Sequence, residues 1–177
     1  LTRVFDEEEF LSPYGIRSLS KVYEQTPYSY QQGDDYATIS YSPADSPVAM
    51  FGGNSNWRGP IWMPINYLLI EALQKFGHAL GDEFKMEFPT GSGRELNLWQ
   101  ISLELEERLV GIFRRDQSGR RAFNGDVELF QNNAAWRDLF QFNEYFNGCN
   151  GAGVGASHQT GWTAVVAKMI TQLQRWR

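Results

Sequence analysis

Two stretches with helical hydrophobic spacing, bounded by long segments crowded with glycine, asparagine and aromatic residues, constrain this chain more than anything else in it. Between 60 and 80, Ile65, Leu68, Leu69, Ala72, Leu73 and Phe76 recur at the intervals of one helix face. Pro60 suits a first turn and Gly81 a stop. Between 96 and 114, Leu98, Ile101, Leu105, Leu109 and Ile112 repeat the pattern, with Glu104 and Arg108 as an i,i+4 pair. A shorter helix is expected over 134–146, a further one over 161–175, and a short helical stretch around 16–23. Strand-like spacing marks 35–41 and 48–51, on either side of a turn at 42–47, and 83–89 reads as a small β excursion. The segments 52–59, 119–132 and 147–160 have no period. Loops of that length in a compact domain are usually functional. The expected class is therefore mainly α, with long loops and a small β-hairpin excursion.

Composition narrows the partners. A length of 177 residues suits one domain with its own core. Hydrophobic residues are 42% and charged residues 21%, which excludes wholesale disorder. The net charge of −5 argues against nucleic acid, which needs clustered Lys and Arg. No apolar run approaches membrane-spanning length and no basic segment followed by an apolar stretch opens the chain, so no membrane partner is expected. A single cysteine, Cys149, cannot form an internal disulfide, and a cytoplasmic location is the expectation. The chain opens on Leu1 and runs into Asp6-Glu7-Glu8-Glu9, which reads as the middle of a longer protein.

The informative excess is aromatic: six Trp, eight Tyr and twelve Phe, 15% of the chain. Aromatic rings fill cores, and they also stack on the C–H faces of sugars. Three clusters bear on that choice. Asn54 to Trp62, running into Asn66, sets two indoles beside an arginine and several asparagines at the mouth of a helix. Such a set suits a polyol ring held by stacking and hydrogen bonds; equally, Trp62 can be core and Arg58 a surface ion pair. Phe142 to Gly148 places Glu144 among aromatics, as a tuned general base or as an exposed carboxylate beside a buried face. The run Asn150–Trp162 contains Gly-x-Gly-x-Gly, but without a preceding strand and a following Gly-Lys-Ser/Thr it lacks the context of a phosphate loop. His158 has no second ligand at metal spacing, so no metal is expected. Ser157 and His158 are adjacent, which disfavours a nucleophilic pair, and nothing marks Cys149 as activated.

Taken in order, these clusters resemble a known family. Asn56-Trp57-Arg58-Gly59-Pro60-Ile61-Trp62 with Asn66-Tyr67-Leu68 resembles the first signature of glycoside hydrolase family 63, which includes processing α-glucosidases. Glu144-Tyr145-Phe146-Asn147, a glycine-rich loop and Gly161-Trp162-Thr163 resemble the second. Segments 10–20 and 155–162 resemble a bacterial and fungal subgroup of glucosidase-like proteins. The resemblance implies an (α/α)₆ toroid, of which this chain would be the C-terminal half of the catalytic domain. It implies inversion by two carboxyls, with Glu144 as base and the acid, an Asp, on a portion preceding this chain; Asp6, Asp34 and Asp35 match no acid motif. Trp57, Arg58, Gly59, Trp62, Asn66, His158, Gln159 and Trp162 would shape the sugar pocket. The expected partner is an α-glucoside or α-mannoside oligosaccharide, with no cofactor. The piece alone would be inactive, and would self-associate or pack on its missing N-terminal half. The alternatives are a non-catalytic carbohydrate-binding or structural module using the same aromatics, and a sugar-phosphate or nucleotide binder using the glycine loop.

Overall fold

A computed structural model of the chain describes residues 1–47 and 56–176. The N-terminal segment closes in a tight hairpin, β1 (Leu11–Ser12) against β2 (Gly15–Ile16). The buried Arg17 guanidinium donates to the main-chain carbonyls of Glu7, Glu9 and Leu11, which gives this irregular stretch a fixed path. Ser20 then caps a 3₁₀ turn over Lys21–Glu24. The helical stretch expected over 16–23 shrinks to that turn, because Ile16 belongs to β2 and Arg17 pairs with Ile61. An exposed hairpin follows, β3 (Tyr28–Gln32) with β4 (Asp35–Ile39), turning at Gly33 in the left-handed region. The strand expected over 48–51 lies outside the described residues.

Helix α1 (Met63–Leu80) starts at Met63 rather than at Pro60, with Pro64 in its first turn. Ile61 is committed to β pairing on both sides and cannot enter the helix. Gly81, φ +78°, ends it as the sequence anticipates. The β excursion is real: β5 (Lys85–Glu87) pairs with β6 (Glu95–Asn97). The Glu87 carboxylate accepts from the Gly91 and Gly93 N–H groups of the connecting turn. Helix α2 (Leu98–Gly111) begins with a capping box, Gln100 N donating to Asn97 Oδ1 at 2.8 Å and Asn97 N to Gln100 Oε1 at 3.0 Å. It lies antiparallel to α1. Gly77 abuts Leu98 at one end, while Asn66 and Leu109 meet at Gly15 at the other.

The core lies between these helices and under α5 (Val166–Arg175), with Ile70, Leu73, Ile101, Leu105, Leu109 and Met169 buried. The helix expected over 161–175 is present in two pieces, α4 (Thr160–Thr163) and α5, separated at Ala164–Val165. The helix expected over 134–146 is not formed. A short helix, α3 (Glu128–Asn132), precedes that stretch, which then turns and extends into β7 (Tyr145–Phe146), paired with β8 (Gly153–Val154). The main chain of Phe146 bonds to Ile61 and that of Glu144 to Ala156, and a helix would forfeit both. The architecture is thus mixed, helices with four two-stranded antiparallel hairpins among the described residues, in place of the mainly helical layout expected. No helix among the described residues is long and apolar enough to cross a membrane.

Candidate active site

A short ladder at the N-terminal end of α1 joins the two sequence motifs. Ile61 N donates to Phe146 O at 2.8 Å, Phe146 N returns to Ile61 O at 2.9 Å, and Arg17 flanks Ile61 on its other side. Residues more than eighty positions apart in the chain become direct neighbours. The approach is close enough to need glycine at Gly59 and Gly148. A Cβ on Gly59 would lie 2.5 Å from both Ser42 O and the Tyr41 ring, and one on Gly148 would lie 2.6 Å from Gly59 O.

Above this ladder the aromatics stack. The Trp57 and Trp62 indoles lie 4.1 Å apart and within 6° of parallel. Trp62 in turn stacks on Tyr145 at 4.8 Å and meets Trp162 edge-on at 6.0 Å. Trp62 and Tyr145 are buried, Trp62 Nε1 donating to Asn56 O at 3.0 Å, whereas Trp57 is 45% and Trp162 39% exposed. Trp62 is core, and Trp57 offers a face to solvent.

Glu144 stands at the entry to β7, half-buried, beside Tyr145. Its main-chain N–H donates to Ala156 O at 2.8 Å, and its Oε2 accepts from Ala156 N at 3.2 Å. One carboxylate oxygen is held and the other retains lone pairs for an incoming proton. Gly155, φ +70°, lets the returning strand pass: a Cβ there would lie 2.8 Å from Glu144 Oε2 and 2.6 Å from the Tyr145 ring. Thr163 Oγ1, on α4, donates to Asn143 O at 2.5 Å and ties the Gly161-Trp162-Thr163 motif to the residue before Glu144. The Tyr145 hydroxyl donates to Asp45 Oδ1. Burial, and then the Asp45 carboxylate, push that phenol well above the usual tyrosine range.

The other expected site residues divide. Asn66 is buried and wholly engaged by main chain: Oδ1 accepts from Ile16 N at 2.7 Å, and Nδ2 donates to Ile16 O and Trp62 O at 3.0 and 3.1 Å. Arg58 is buried as well, not a surface ion pair, with Nε and Nη2 lacking hydrogen-bond partners among the described residues. His158 and Gln159 are exposed, held through main chain alongside Phe142. Asp45 was hidden from sequence reasoning, because a turn-rich segment gives no sign that its carboxylate meets a residue 100 positions later. Cys149 is exposed, and its sulfur lies 3.7 Å from the Tyr41 hydroxyl. Among the described residues no cluster of His, Cys, Asp and Glu could hold a metal ion.

Cavity size adds a point. The cleft beneath Trp57 and Trp62, floored by Ile16 and Leu69, holds only about 40 Å³, too little for a sugar ring. A recess of about 440 Å³ lies elsewhere, lined by Tyr14, Arg114, Arg115, Arg121 and Asn150.

The chain is similar in sequence to known proteins. An uncharacterized protein of Saccharomyces cerevisiae is 49% identical over 175 residues, 98% of this chain and 16% of that protein. The mannosyl-oligosaccharide glucosidase of the same yeast is 26% identical, over 93% of this chain and 14% of its own length. A probable mannosyl-oligosaccharide glucosidase of Schizosaccharomyces pombe is 28% identical, over 97% and 15% respectively. The chain thus spans only 14–16% of the length of these relatives. Residues 1–90, which include the Trp57–Trp62 motif and all of α1, match the glycosyl hydrolase family 63 C-terminal domain, and the chain belongs to that family.

Proposed function

We propose that the protein carrying this chain is an inverting glycoside hydrolase acting on α-linked glucose or mannose units, with Glu144 as its general base. The observation that carries the reading is the Ile61–Phe146 ladder, which sets the tryptophan motif against the Glu144 strand and stacks Trp62 on Tyr145. The yeast relatives named mannosyl-oligosaccharide glucosidases support the substrate class.

In this reading Glu144 takes the proton of a water facing the anomeric carbon. A general acid, an Asp on the portion preceding residue 1, protonates the leaving oxygen from the other side. The carboxyls then stand about 6.5–9.5 Å apart, leaving room for that water. The exposed indole face of Trp57 stacks on the sugar, and the buried Arg58 supplies charge from behind. Asn66 acts by fixing the strand and helix ends that carry these groups. The rest of the protein completes an (α/α)₆ toroid and walls the pocket, covering the exposed Ile65, Leu68, Phe76 and Leu80 of α1.

The test follows the anomeric proton by NMR as the full-length protein cleaves an aryl α-glucoside. β-Glucose appearing first supports the proposal, and α-glucose appearing first contradicts it. The isolated chain, without the acid, is expected to give no turnover.

A further inference from the structure

We propose that Asp45 is a positioning residue for the reaction, acting through the Tyr145 hydroxyl to hold the Glu144 carboxylate in register; the inference rests on the reading of Glu144 as general base. Tyr145 immediately follows Glu144, and its ring is fully buried between the Trp62 indole and the backbone of Gly155. A ring so confined turns only with its own main chain, and that main chain sets the direction of the Glu144 side chain. The one free end of the lever is the phenolic hydroxyl, and Asp45 holds it.

Asp45 is itself exposed, yet its segment is fastened repeatedly to the tryptophan motif and to the turn that follows β7. Ser42 N donates to Arg58 O at 2.7 Å, Gly148 N to Pro43 O at 2.8 Å, and Ser46 N to Asn56 Oδ1 at 3.3 Å. Ser42 Oγ donates to Asp45 O at 3.0 Å and fixes the turn internally. The segment therefore straps the tryptophan motif to the Glu144 strand, with the Asp45 carboxylate as the clasp. A general base must be held within a fraction of an ångström, and small misplacements cost rate more than binding.

The experiment compares Asp45→Ala, Asp45→Asn, Tyr145→Phe, Asp45→Ala/Tyr145→Phe and Glu144→Gln in the full-length protein, measuring kcat and KM separately. Asp45→Ala is expected to lower kcat about tenfold with KM little changed. Asp45→Asn, whose amide oxygen still accepts from the hydroxyl, restores most of kcat. Tyr145→Phe matches Asp45→Ala, and the double variant is no worse than either, as members of one linkage behave. If Glu144→Gln abolishes turnover while Asp45→Ala stays within twofold of wild type, the positioning role is overturned and the base assignment stands. If Asp45→Asn is as impaired as Asp45→Ala, the charge and not the hydrogen bond matters, and the role is likewise overturned. A Glu144→Gln protein of normal turnover removes the base assignment itself, and this inference with it.

Discussion

Glu106 gives the clearest link between burial and a measurable energy. It lies on the face of α2 that packs against α1 and is fully buried. Oε1 accepts from Gln74 Nε2 at 3.3 Å, and Oε2 has no hydrogen-bond partner among the described residues. Burial pushes its carboxyl from 4.5 up to about 7, against the partial relief of Gln74 and the more distant Lys168; Glu71 and Glu107 add repulsion. A carboxyl raised this far ionises in the fold at a cost of about 3 kcal/mol relative to the unfolded chain. Because the folded value is the higher one, the stability of the neutral form is fully present below about pH 4.5, declines as pH rises, and is gone above about pH 7. Glu106→Gln removes the ionisation and keeps an acceptor for Gln74. The variant is expected to match wild type at pH 4 and to exceed it by about 1–3 kcal/mol at pH 8. Hydrogen exchange of the α2 amides in the full-length protein, corrected for intrinsic rates, reads this locally. Protection that falls equally with pH in both proteins would refute the reasoning.

Two further outcomes bear on the site's scaffold. Asn66→Ala deletes three hydrogen bonds, one buried and two part-buried, and strands the polar groups of Ile16, so unfolding free energy should fall by about 1–3 kcal/mol; an unchanged melting temperature with a raised KM would instead make Asn66 a sugar contact. Gly155→Ala places a methyl against the Tyr145 ring and Glu144 Oε2 at positive φ, costing about 1–3 kcal/mol of strain and lowering turnover; calorimetry and kcat showing no change would mean the strand relaxes freely.

How much of this was legible depended on the range of the interactions involved. Helix α2 could be read because amphipathic period and caps are local: Leu98, Ile101, Leu105 and Leu109 are all buried where the spacing put them. Helix α1 forms where its period predicts, but of the face expected to be apolar and buried, Ile65, Leu68 and Phe76 are exposed, and Met63, Asn66, Ile70 and Leu73 are the buried positions. The start of α1 was misplaced because Pro60 fits a first turn locally, while the pairing of Ile61 with Phe146 is decided elsewhere in the chain. The same pairing converted the expected helix over 134–146 into an extended strand. The motif residues around Trp57 and Glu144 were visible as chemistry. That Trp62 would stack on Tyr145, that Asn66 would bond only to main chain, and that Asp45 would meet the Tyr145 hydroxyl are consequences of tertiary register, which no local spacing encodes.

The role given to Glu144 is tested most directly by the turnover of Glu144→Gln in the full-length protein on an α-glucoside. The amide keeps the shape and the contact with Ala156 but cannot take a proton from water. Turnover is predicted to fall by about 10²–10⁴, with KM and melting temperature close to wild type. A variant that turns over within a few-fold of wild type would contradict the account at its centre.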